Sequence, residues 1–130
     1  MNKSISDAQN NNNLPSTDLS QLIQSTLEDY KALDIQNLFI GDISSVADHM
    51  VVASGNSKRH VQSIAQNLVE ASKAKAHKVL GVEGLESGEW VLVDLGDVIV
   101  HIMQPETRAF YDLEKLWKVR PSQPQQTTPA

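Results

Sequence analysis

The sequence predicts an α/β domain: a mixed five-stranded sheet flanked by helices. Three observations lead there. Apolar residues recur at three- and four-residue steps in three stretches, and run or alternate as in strands in five others. The two kinds interleave in the order α β β α β β β α, which implies a mixed sheet with helices packed on it.

The first helix opens at Ser16, Thr17 and Asp18, whose side-chain oxygens can accept the unpaired first-turn N–H groups. Leu19, Leu22, Ile23, Thr26, Leu27 and Tyr30 form its apolar stripe. After Leu33 the period changes, and Ile35, Asn37 and Phe39 alternate with Leu38 and Ile40 in a strand that stops at Gly41 and Asp42. His49 to Ala53 is a short apolar run closed by Ser54, Gly55 and Asn56, as in a strand buried on both faces. Ser57 caps a second helix with Val61, Ile64, Ala65, Leu68 and Val69 inward, and Lys58, Gln62, Gln66 and Glu70 outward. Lys78 to Val82 is a third strand. Trp90 to Leu95 and Val98 to Met103 form a hairpin around Gly96-Asp97. Pro105 suits the first position of a last helix, striped by Ala109, Phe110, Leu113, Leu116 and Trp117.

With 130 residues the chain holds one domain. Residues 1–17 include the run Asn10 to Asn13 and have too little apolar surface to offset ordering, so a disordered segment is expected there. Residues 121–130, PSQPQQTTPA, read as a disordered tail. The domain is expected at 18–120. The absence of Cys excludes a disulfide framework, a zinc ribbon and a thiol nucleophile. No apolar run approaches the ~20 residues of a membrane span, and Met1 to Leu14 does not resemble a secretory signal, so a cytoplasmic protein without membrane contact is expected. Eleven Lys and Arg face sixteen Asp and Glu, a net charge of -5. That balance argues against a broad phosphate-gripping face and suits a basic protein partner.

The hairpin carries the most information. Period two places Val91, Val93, Leu95, Val98, Val100 and Ile102 on one uniformly aliphatic face, which belongs under a helix. The other face mixes Trp90, Leu92, Asp94, Ile99, His101 and Met103. Three readings compete for it. It is a second core layer with His101 and Asp94 bonded internally; or a protein interface anchored by Trp90, Leu92 and Met103; or an acid–base or metal site of Asp94, Asp97 and His101. The segment SGNSKRH, Ser54 to His60, matches neither a Walker loop nor a dinucleotide fingerprint and reads as a capped helix start with exposed basic residues. In the last helix Arg108, Tyr111 and Glu114 lie off the apolar stripe and form either ordinary surface or a polar rim beside the mixed face.

Four segments, in this order, resemble the ribosomal silencing factor family, RsfS, also called Iojap-like: DHMVVASGNSKRHV from Asp48, GVEG from Gly81, WVLVDLGDVIVHIM from Trp90 and RAFYDLEKLW from Arg108. The resemblance spans Leu19 to Trp117. It implies a nucleotidyltransferase-like mixed sheet. It also implies docking on the large ribosomal subunit through its protein uL-fourteen, which sterically blocks the small subunit and represses translation when nutrients are short. No catalysis and no cofactor are implied, direct rRNA contact is minor or absent, and a homodimer is possible when free. Carried over position by position, Trp90, Val91, Leu92, Asp94, Asp97, His101, Arg108 and Tyr111 fall to the partner-binding site, with Met103 added from the mixed face. Glu114, Leu116 and Trp117 also match, the last two as core. The alternative is a metal-dependent nucleotidyltransferase-like enzyme using Asp94, Asp97 and His101.

Overall fold

A computed structural model of the chain describes residues 17–42 and 44–115. The elements are α1 (Thr17–Asp29), β1 (Leu33–Phe39), β2 (His49–Ser54), α2 (Lys58–Ala74), β3 (Gly81–Glu83), β4 (Trp90–Asp94), β5 (Val98–Met103) and α3 (Pro105–Tyr111). The strands form one sheet in the order β1-β2-β5-β4-β3, with β2 and β5 parallel and the other pairs antiparallel. The expected mixed five-stranded sheet is present. Expectations for residues 1–16 and 116–130, the Ser16 cap, Leu116 and Trp117 among them, lie outside the described residues.

Both long helices cover the same face of the sheet. Leu19, Ile23 and Leu27 of α1, and Val61, Ile64, Ala65 and Leu68 of α2, close over Val51, Ala53, Val91, Val93, Val100 and Ile102. This stripe-on-sheet burial is the main core, because apolar area leaves water on both partners at once. Ser57 caps α2 by accepting from the His60 N–H at 3.1 Å. The inner strand β2, paired on both edges, is buried from Met50 to Ser54, as its apolar run requires.

Several elements depart from expectation. Tyr30 falls just beyond α1 and is largely exposed. The third strand begins at Gly81 instead of Lys78, because pairing with β4 starts opposite Asp94. His60 is not a free basic residue. Its ring accepts from Asn56 N–H at 2.9 Å through Nδ1 and bonds the Tyr30 carbonyl at 2.8 Å through Nε2, tying the end of α1 to the β2–α2 turn. Gln62, read as outward, donates to the Leu85 and Glu86 carbonyls at 2.9 and 3.2 Å.

The largest departure is the last helix. α3 ends at Tyr111, and Asp112 adopts a left-handed backbone at φ 50°, ψ 53° before residues 113–115 turn again. No residue of α3 is buried, and Phe110, placed on the core stripe by the sequence, is 79% exposed. An interrupted helix cannot present one continuous stripe. Among the described residues of the stripe, Leu113, beyond the break, reaches a small cluster of Leu38, Ile40, Ala47, Met50, Val52 and Met103.

Candidate functional site

The candidate site is the sheet face opposite α1 and α2, covered among the described residues by α3, the turn after it and the β1–β2 connection, which brings Ile40 and Ala47 onto this face. The β4–β5 register pairs Trp90 with Met103, Leu92 with His101 and Asp94 with Ile99, so these side chains share the face. The hairpin closes through Leu95 N–H to the Val98 carbonyl at 3.0 Å. Gly96 carries the positive φ of 88° that the first loop position demands. At the other end Gly84, also at positive φ, lies where a Cβ would collide with the Trp90 carbonyl, so the chain before Trp90 passes close against it. Gln104 holds the same turn, its side chain donating to the Gly88 carbonyl at 3.0 Å. Trp90 is thereby fixed from its backbone outward.

The Trp90 indole is half buried. Its Nε1–H donates to His101 Nδ1 at 3.0 Å. An indole nitrogen only donates, so Nδ1 is an acceptor and a neutral His101 carries its proton on Nε2. Burial agrees, lowering the His101 pKa from 6.5 to about 4. Tyr111 lies tilted on Trp90 with ring centroids 4.8 Å apart, and Phe110 meets Tyr111 edge-on at 4.9 Å. His101, Trp90, Tyr111 and Phe110 thus form an aromatic series running from the sheet into solvent, where Tyr111 is 52% exposed. Beside His101 lies a hollow of about 340 Å³ walled by Ile40, Ser44, Val46, Met50, Ile99 and Leu113. Glu83, Glu86 and Glu89 are exposed along the β3–β4 turn that leads to Trp90.

Each expected site residue has a definite place. Trp90 and Leu92 are half buried on the open face, Tyr111 stands above it, and Asp97 is exposed at the hairpin tip. Val91 and Met103 require correction as contact residues. Both are fully buried, Val91 under the helices and Met103 in the small cluster, so they can support the face only from beneath. His101 is likewise buried and acts by holding Trp90. Asp94 turns inward to the hairpin, its Oδ1 accepting Gly96 N–H at 3.0 Å, and it does not bond His101. Among the described residues no group of three or more His, Asp or Glu side chains is placed to hold a metal ion. Arg108 is tied to Glu114 at 2.5 Å and reaches both β1 and β2. The sequence reading overlooked Phe110 as surface, and Ser54 and Gln104 as supports. Pro105 marks where α3 starts, but no local signal foretells its break at Asp112.

A family model described as ribosomal silencing factor during starvation matches residues 13–130. The ribosomal silencing factor RsfS of Zymomonas mobilis is 44% identical over 99 residues, covering 76% of this chain and 74% of that protein. Mitochondrial assembly of ribosomal large subunit protein 1 of mouse is 34% identical over 106 residues, covering 79% of this chain and 46% of that protein. A crystal structure of a Chromobacterium violaceum protein superposes with a TM-score of 0.76 at 40% identity, over 87% of this chain and 88% of that one. A Bacillus halodurans crystal structure gives 0.71 at 39% identity, over 77% and 93%. The chain belongs to the ribosomal silencing factor family.

Proposed function

We propose that this protein docks on the large ribosomal subunit through uL-fourteen and, by occupying the face that meets the small subunit, prevents the two from joining. Translation then falls when nutrients are limiting. The observation that carries the reading is the Trp90–Tyr111–Phe110 series standing open on a sheet face that the long helices leave uncovered. Aromatics anchor interfaces because they bury large area with few rotors, and an exposed group of them marks a contact surface. The Glu83, Glu86 and Glu89 carboxylates beside it suit a basic ribosomal protein and would speed encounter. The work would take place in the cytoplasm, and the nucleotidyltransferase-like sheet would serve as a docking scaffold, not as a site of nucleotide chemistry.

The test is co-sedimentation with purified large subunits. Trp90→Ala is expected to weaken binding by about thirtyfold or more, since truncating a central Trp costs at least ~2 kcal/mol. Helix content should survive. A variant that binds like the parent, or a parent that does not bind, would remove the reading.

A further inference from the structure

Resting on this docking reading, we infer that Arg108 positions the aromatic surface and does not itself touch the partner: its guanidinium is the latch that holds α3 across the open face with Tyr111 on Trp90. α3 has seven residues and none is buried, so beyond the Tyr111 ring on Trp90 apolar packing does little to hold it, and so short a helix is not stable alone. What ties it down is polar. A guanidinium has five N–H donors, and here all five point at acceptors within the chain. Nε–H and one Nη2–H meet the Glu114 carboxylate at 3.2 and 2.5 Å. The other Nη2–H meets the Asp34 carbonyl at 2.6 Å. The Nη1 pair meets Ser54 Oγ at 2.9 Å and the Leu33 carbonyl at 3.4 Å. With the side chain only 11% exposed, no donor is left for a partner.

Two irregularities build the latch. Residues six apart on a continuous helix face different sides, so Glu114 reaches Arg108 only because Asp112 breaks α3 with its left-handed backbone. The β1–β2 register shifts between Leu33 and Gln36, and the two carbonyls that Arg108 binds belong to that irregular stretch. Arg108 and Tyr111 lie three apart on one side of α3, so fixing one sets where the other rests.

The experiment uses the full chain carrying Arg108→Lys, which keeps the charge but cannot fork between these acceptors. Hydrogen exchange at amides 106–111 should speed by about tenfold or more, while amides 61–68 in α2 stay protected. Affinity for purified large subunits should fall by about tenfold, and in a Tyr111→Ala background the same substitution should cost less than about twofold further. If Arg108→Lys does not fold, Glu114→Gln is read in the same way. Unchanged exchange at 106–111, lost protection in α2, or a full additional loss in the Tyr111→Ala background would each overturn the proposal. The last would make Arg108 a direct contact. A parent protein that fails to bind large subunits sinks the docking reading instead, while the exchange measurement still decides whether the latch exists.

Discussion

On the helix-covered face, Val91, Val93, Val100 and Ile102 meet Ile64 and Leu68 and are shut off from water. On the opposite face of the same two strands, Trp90, Leu92 and Ile99 remain half exposed beneath a seven-residue helix. The backbone and its hydrogen bonds are shared, so the difference lies in what covers each side. The first face is held by apolar area and is insensitive to polar detail. The second is held by a few directional contacts: an indole N–H on an imidazole, a ring on a ring, and a guanidinium in a ring of acceptors. Contacts of that kind position side chains well but supply little area, which is what the proposed docking asks of this face.

That contrast can be broken or sharpened by measurement. The largest effect belongs to the covered face. Leu68→Ala empties a fully buried site and should cost about 2–5 kcal/mol in urea unfolding, while whatever remains folded still binds large subunits with parental affinity. A loss of affinity in that folded fraction would mean the two faces are not independent.

Next comes His101. Burial holds its pKa at about 4, below the 6.5 of a free imidazole. Between those values the unfolded chain binds a proton that the folded chain refuses. Its contribution to stability is therefore complete above about pH 6.5 and is lost as pH falls toward 4, by about 2–3 kcal/mol. His101→Gln keeps an acceptor for Trp90 without titrating, so the variant should show a flatter decline in urea midpoint across that window. An identical slope in both proteins would show that His101 is not the residue responsible.

The smallest effect belongs to the rim. Phe110→Ser removes a ring that is mostly in water and should change stability by less than about 0.5 kcal/mol, yet weaken docking on large subunits measurably. A destabilisation comparable to that of Leu68→Ala would place Phe110 in a core after all.

Legibility follows the same division. The hairpin can be read from the chain because strand alternation is local: whichever way the sheet packs, Val91 and Trp90 point oppositely. The stripes of α1 and α2 were equally readable, each being long enough to present several turns of apolar side chains. α3 was not. Its apparent stripe assumed a continuous helix, and the break at Asp112 sends Phe110 outward and Glu114 back to Arg108. Gln62 looked like a solvated surface residue because its partners, Leu85 and Glu86, lie more than twenty residues away.

From the order and period of its residues alone, this chain determined the succession of elements, the two faces of the hairpin and the cap of α2, all set by neighbours within a few positions. Only the tertiary structure decided that both long helices share one face, that His101 must be neutral for its Nδ1 to accept the Trp90 N–H hydrogen bond, and that Arg108 spends every donor internally. Those outcomes depend on groups as far as 75 residues apart meeting at hydrogen-bond distance, and sequence spacing carries no record of such encounters.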